Sequence, residues 1–525
     1  MNEKKNEALG NLTCESKVAS YPIDPDVFTT HERTVMPVSV PSIFPKHLKA
    51  NDKQCYTFFL IPVPKTFPKL ESNKIIGYAQ DGYGGWEYEL GLGYEKRLDL
   101  MPLSYACALI KHSAKLLNFF AITDIHITDK ELPAQGIYFK YKGGYISAYS
   151  KIMLYTTHVL DAAAQTVNAL HRKNTFDFGF SLGDNCNNTQ YNELRWSIDV
   201  LDGTQIKLDS GVLDDPPSPG AQSDCQDDYK SAGLDKTIPW YQVLGNHDHF
   251  WVGTNSGKIE SNSNRRSLSR EEWMREFLNT TSNPKGHGFN QSNIENGFAC
   301  YTFEPKAEMP IKVIVLDDTQ KDDDPDVHGY AHGSLDRERY EWLVRELNEG
   351  QTKGKLMIIA AHVPIGVEDP DSERGPFMAW SAIAEVSENE LIGKLHTFPN
   401  LILWVSGHRH KNSVTPLKSP DNNRPELGFW QIETASLRDF PQQFRTFQIV
   451  RNSDNTVSIF TTNVDPAVKV GSFAGISRSF AIAAQQIFRK KQDLLPSGSY
   501  NAELVIRLSP EMQIKIQSYG KPIHQ

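Results

Sequence analysis

Hydrophobic residues along this chain gather in short, nearly uninterrupted runs. The segments LLNFFAITD (116–124), FDFGFSLGD (176–184) and TIPWYQVLGNHD (237–248) each read as a strand passing into a polar loop. So do IKVIVLDDT (311–319), KLMIIAAHVP (355–364) and NLILWVSGH (400–408). A strand buried on both faces loses its in–out alternation, so such runs predict a sheet covered on both sides. Between them lie segments with helical spacing. In 150–173 the apolar and small positions are Ile152, Thr156, Val159, Ala163, Val167 and Leu170. In 335–349 they are Leu335, Trp342, Leu343 and Leu347 on an otherwise charged stretch. Strands alternating with helices predict a layered α/β domain over 116–465.

The flanks read differently. Residues 1–50 are polar, Pro-dotted and loop-like, and 55–100 carry an apolar run and a Gly/Tyr-rich stretch expected to form irregular β structure. Residues 1–115 are therefore expected to wrap the α/β domain. Insertions are expected near 189–237, which is rich in Pro, Gly and Asp, and near 250–300. The tail, 466–525, offers a helical piece (RSFAIAAQQIFRK) and two strand-like runs (AELVIRL and QIKIQSY), expected to pack on the domain.

Polar chemistry collects at the C-terminal ends of the predicted strands. Asp124-Ile-His126 follows the first, Gly183-Asp184 the second and Gly245-Asn246-His247-Asp248 the third. His362 and then Gly407-His408-Arg409-His410 follow the last two. Ligands of open α/β sheets bind outside the carboxyl ends of the strands, so these loops can converge. Carboxylate, amide and imidazole together suit Mn²⁺, Fe or Zn²⁺ rather than Ca²⁺ or a thiolate-bound ion. A single His at a strand end is usually structural; the ordered set is far more specific.

The order DxH … GD … GNHD … H … GHxH resembles that of the calcineurin-like metallophosphoesterase superfamily over roughly 120–415. The resemblance implies a β-sandwich flanked by helices and a binuclear metal centre. On matching positions, Asp124, His126 and His410 would hold one divalent ion, Asn246, His362 and His408 the other, and Asp184 would bridge them. It implies hydrolysis of a phosphodiester or phosphomonoester by in-line attack of a hydroxide bridging the metals. His247 would assist the leaving group, and Asp248 is expected to hydrogen-bond its imidazole and raise its pKa. The second block, Gly183-Asp184-Asn185-Cys186, lacks Tyr, and the first is DxH rather than DxG. That argues against an Fe(III)–tyrosinate centre.

Asn188, Arg195 and His249 are candidates for binding substrate. Each has a plainer reading: Asn188 as a helix cap, Arg195 in a surface salt bridge and His249 capping a turn. His287, His328 and His332 lie in glycine-rich loops and are expected to be mainly loop residues. Arg409 is expected to turn away to a salt bridge, and Arg438 can face either way. Cys186 reads as a small buried filler.

Composition narrows the partners. The 525 residues carry 55 Lys plus Arg against 64 Asp plus Glu, a net charge of −9. That acidity argues against attachment to nucleic acid through phosphate neutralisation, and the resemblance implies a small phosphate ester as the substrate. No partner protein is evident. A nuclease using the same site, or a binding scaffold without turnover, remains an alternative. Six scattered cysteines form no CxxC pair, and no apolar run reaches transmembrane length. The chain reads as soluble and cytoplasmic, with export after removal of a leader left open.

Overall fold

The computed structural model describes residues 18–19, 22–39, 82–105, 111–129, 151–208, 228–250, 263–322, 330–367, 380–488 and 501–523. Two sheets dominate. In the larger, His112–Ile122 is flanked on one side by Phe178–Ser181 and Trp240–Gln242, all parallel. On its other side come Phe444–Asn452, Val457–Val464 and Ala502–Ile506, each antiparallel to its neighbour, with Glu95–Arg97 at the edge. In the smaller sheet Ile311–Val315, Leu356–Ala360, Leu401–Ser406 and Phe429–Glu433 run parallel. Antiparallel strands Tyr301–Phe303 and Ser413–Leu417 close its edges.

Burial explains the uninterrupted apolar runs. Val313, Val315, Ile358, Ala360, Leu403 and Val405 share a core with Phe119, Phe178 and Phe447 of the larger sheet. The intervening Ile314, Ile359 and Trp404 pack instead with Leu343, Leu347, Leu391 and Leu395. Those four belong to helices Arg337–Thr352 and Glu388–Leu395 on the outer face. Helices Thr156–Lys173 and Tyr191–Asp202 contribute Val159, Leu160, Val167, Leu194 and Ile198 to the first core. The layering is helix, sheet, sheet, helix. Each Val, Leu, Ile or Phe among them stabilises the fold by roughly 1.5–3 kcal/mol through burial. Phe119 stacks between Phe178 at 4.9 Å and Phe447 at 4.6 Å, tying three adjacent strands together.

Both flanks supply strands to the larger sheet, Glu95–Arg97 from one side and Ala502–Ile506 from the other. Two local expectations fail. Residues 1–50 contain a strand, Arg33–Pro37, paired with Trp86–Leu90. The run QIKIQSY falls largely in helix Pro510–Ile516, not a strand. Ser509 caps that helix by accepting the Met512 N–H, Pro510 occupies its first turn, and Met512 and Ile516 are buried four residues apart. The cap and the spacing override the local alternation.

Candidate metal centre

The loops that end the parallel strands of both sheets meet at one edge of the sandwich. Backbone bonds lock them together: Asp124 N–H donates to Gly183 O (3.1 Å), His126 N–H to Asp184 O (2.9 Å) and Gly407 N–H to His362 O (3.0 Å). His408 N–H donates to Asp124 Oδ2 (2.9 Å), joining the two sheets through the site itself. The glycines of the motifs allow this approach. A Cβ on Gly183, whose φ is +98°, would sit 2.7 Å from His362 Nδ1, and one on Gly245 would overlap Asp184.

Two buried groups of ligand atoms result: Asp124, His126 and His410, and Asp184, His362 and His408. A third overlapping group joins His126, Asp184 and His247. Asp184 Oδ2 lies 3.5 Å from His126 Nε2 and 3.3 Å from His362 Nε2, so one oxygen faces both halves. Asn246 Oδ1 is 3.2 Å from His362 Nε2. The sequence-derived set of seven is thus brought together.

Several features fit these residues to bound cations. His126 Nε2 and His410 Nε2 face each other at 3.1 Å, and His362 Nε2 and His408 Nδ1 at 3.2 Å. Opposed lone pairs repel unless a proton or cation lies between them. The far nitrogens are tied back: His362 Nδ1 to Leu182 O (2.8 Å), His408 Nε2 to Ala331 O (2.7 Å) and His410 Nδ1 to Asp439 Oδ2 (2.7 Å). Each therefore donates outward and aims its other nitrogen inward. Asp124 Oδ1 is buried without a hydrogen-bond donor, its neighbours being His410 Nε2 at 3.4 Å and His126 Nε2 at 3.9 Å.

Protonation tells the same story. Burial disfavours the charged His362 ring, yet the adjacent Asp184 and the Asp124 beyond it hold its pKa up to about 10. His410 is likewise held up to about 9, against burial, by Asp124 and Asp439. His408, buried beside the His362 charge, falls to about 3. In each half the carboxylates thus favour positive charge beside them, which a bound cation also supplies. The backbone agrees: Asp124, His126, Asp184, His408 and His410 all have positive φ, between 48° and 77°. Such conformations cost on the order of 1–3 kcal/mol per residue and concentrate at functional sites.

His247 stands beside this cluster, its ring edge-on to His126 at 4.6 Å. Its Nδ1 bonds Asn187 O (2.9 Å), leaving Nε2 for the site. The expected Asp248–His247 bond is not formed. Asp248 instead accepts four backbone N–H groups: Gly245 (3.0 Å) and Asp184 (2.9 Å) on Oδ2, Asn185 (2.9 Å) and Cys186 (3.0 Å) on Oδ1. Its carboxylate splices the Asp184 loop to the His247 loop. Burial and the neighbouring Asp184 push Asp248 up to about 7, with the N–H donors pulling against that rise. Burial leads in lowering the His247 pKa, the opposite of the expected direction. A carboxylate turned into backbone donors has no oxygen left for the ring.

The three substrate candidates are engaged structurally. Arg195 pairs with Asp199 (2.9 Å) and Glu276 (2.6 Å). His249 lies between Asp322 Oδ1 (2.7 Å) and Thr319 Oγ1 (2.9 Å). Asn188 does not cap the helix, whose N-cap is Gln190; its backbone and side-chain N–H groups bond the Glu193 carboxylate at 2.7 and 3.1 Å. Burial pushes that carboxyl up to about 8. Arg409 turns away to a buried two-point bridge with Glu433 (3.0 and 2.6 Å). His287 stacks on Trp240 at 3.4 Å. His332 is buried, and its backbone N–H donates to Gln320 Oε1 (3.2 Å). Cys186 is buried and free of any disulfide. His328 lies outside the described residues. Arg438 is buried, with Nη1 3.5 Å from Asn187 Oδ1. Sequence reading missed Ser436 and Asp439. Their only signal was position, since SLRD follows another parallel strand of the smaller sheet.

A two-sheet α/β sandwich whose parallel strands end in a shared cluster of histidines and aspartates defines a class built to hold metal ions. The model of the calcineurin-like phosphoesterase family matches residues 117–412, more than half of the chain, and the chain belongs to that family. It is 23% identical over 180 residues to a probable glycerophosphodiester phosphodiesterase, GpdQ, of Arcobacter nitrofigilis. That match covers 34% of this chain and 48% of the relative, so the chain spans about half the length of the curated relative it matches. Among solved structures it resembles a dimetal phosphatase from Danio rerio, with a TM-score of 0.41 and 14% identity. That likeness covers 67% of this chain and 98% of the other. Among the described residues no helix is long and apolar enough to cross a membrane.

Proposed function

We propose that this chain is a metal-dependent phosphoesterase with a binuclear centre. Asp124, His126 and His410 would hold one divalent ion, Asn246, His362 and His408 the other, and Asp184 would serve both. The observation that carries the reading is the place of Asp184 Oδ2, between His126 Nε2 and His362 Nε2 at 3.5 and 3.3 Å. Two such cations would neutralise the ester oxygens and supply a hydroxide for in-line attack on phosphorus. The chain's own contribution is to hold the site rigid. The His247 backbone N–H donates to Asp184 Oδ1 (2.9 Å), so Asp184 is fixed from its other oxygen. His247, with Nδ1 committed to Asn187 O, presents Nε2 to the departing oxygen and assists the leaving group. The mixed nitrogen and oxygen donors favour Mn²⁺, Zn²⁺ or Fe²⁺.

A phosphodiester is the first substrate to try, since the matched relative bears the name of a diester-cleaving enzyme. The test compares a nitrophenyl monoester with a bis-nitrophenyl diester in the presence of each metal, with Asp184→Asn alongside. Turnover should require metal and fall at least about 100-fold in Asp184→Asn, as when a charged partner in a low-dielectric site is lost. No turnover of either ester with any metal, or an undiminished rate in Asp184→Asn, sinks the proposal.

A further inference from the structure

The turn Ser436–Asp439 touches the candidate centre at Asp124 and His410, and no part of the proposed reaction has used it. It leaves the end of strand Phe429–Glu433 and docks on the backbone that carries Asp124. Leu437 N–H donates to Thr123 O (3.2 Å), and Ser436 Oγ donates to Asp124 O (2.7 Å). The same Ser436 Oγ accepts the N–H groups of Arg438 (2.9 Å) and Asp439 (3.3 Å), which closes the turn. Its last residue then reaches His410: Asp439 Oδ2 is 2.7 Å from His410 Nδ1, with the Asp439 side chain 20% exposed.

The four ring ligands differ in what holds their far nitrogen. His362 and His408 rest on the neutral carbonyls of Leu182 and Ala331. His126 Nδ1 has no hydrogen-bond partner among the described residues. Among the described residues, only His410 of these four rings has a carboxylate behind its far nitrogen, 2.7 Å away. A carboxylate behind a ligand imidazole fixes its tautomer, prevents ring rotation and makes the inward nitrogen a better donor.

From this asymmetry we infer that Asp439 is a positioning residue that selectively tightens the metal position formed by Asp124, His126 and His410. The inference rests on the proposed binuclear reading. One four-residue turn thereby fastens both the backbone of the aspartate ligand and the ring of the histidine ligand of that position. At the second position the far nitrogens of His362 and His408 rest on backbone carbonyls instead.

The test titrates metal-stripped full-length protein with Mn²⁺ or Zn²⁺ by calorimetry and chelator competition, and counts metal equivalents. Wild type should take up two equivalents. Asp439→Asn keeps an acceptor but removes the charge, and should weaken one equivalent by about 10–100-fold while the other is unchanged. Asp439→Ala should weaken the same equivalent further, and Asp439→Glu should restore part of it. Thermal unfolding of the metal-free variants should match wild type, which separates positioning from a general structural role. Two equivalents of wild-type affinity in both Asn and Ala variants, or equal weakening of both equivalents, overturns the inference and leaves the phosphoesterase reading standing. Wild type that binds no metal overturns both.

Discussion

The four backbone donors around Asp248 make Asp248→Asn a decisive substitution. In the same side-chain orientation an asparagine oxygen can keep one pair of N–H groups, Asn185 and Cys186 or Asp184 and Gly245. Its NH₂ must then confront the other pair, donor against donor. Asp248 is fully buried, so water cannot replace the lost acceptor. Each buried donor left unsatisfied costs roughly 1–3 kcal/mol, so two cost about 2–6 kcal/mol in all. The perturbation also reaches the site. Asp184 N–H is one of the four donors, and Asp184 carries the oxygen shared between the two halves. The variant should therefore unfold at lower urea concentration, with a stability loss in that range for the metal-free protein. It should also bind metal more weakly. The pH–rate profile of the remaining activity should keep the wild-type shape. If Asp248 instead tuned His247 through a direct bond, the pattern would invert. Stability would change by less than about 1 kcal/mol, and the limb of the profile governed by His247 would move. That second pattern would refute the role of Asp248 as a splice between the two loops.

Two further substitutions separate chemistry from scaffolding. His247→Ala should lower kcat by about 10²–10⁴-fold on an ester with a poor leaving group and much less on a nitrophenyl ester, with metal content unchanged; equal losses on both esters would remove His247 from leaving-group assistance. Arg195→Ala should leave KM unchanged and lower thermal stability, because its guanidinium is occupied by Asp199 and Glu276; a large rise in KM with normal stability would restore it as a substrate ligand.

Much of the site was legible because its determinants are local. A strand buried on both faces must be continuously apolar, and its C-terminal loop is the first place where polar residues can stand. Five such runs with Asp, His and Asn just beyond them therefore locate the cluster along the chain. The glycines at 183 and 245 belong to the same local logic, since each precedes a residue that must pack against another loop without a Cβ in the way.

Contacts between loops were not legible. Asp248 beside His247 suggested a pair, yet adjacent side chains in a tight turn point in different directions, and the carboxylate found the Asp184 loop 62–64 residues earlier. Asp439 lies 29 residues from His410, and nothing in SLRD marks it as that ring's partner until strand Phe429–Glu433 is placed beside Leu401–Ser406. Arg195, His249 and Asn188 have chemistry suited to phosphate, but partners from other segments or the next helix occupy them. The sequence alone determined the layered α/β architecture and the class and order of the candidate ligand atoms, because periodicity and residue chemistry are carried by short segments. Only the tertiary structure decided which carboxylate serves which histidine, because a hydrogen bond depends on the position of both ends.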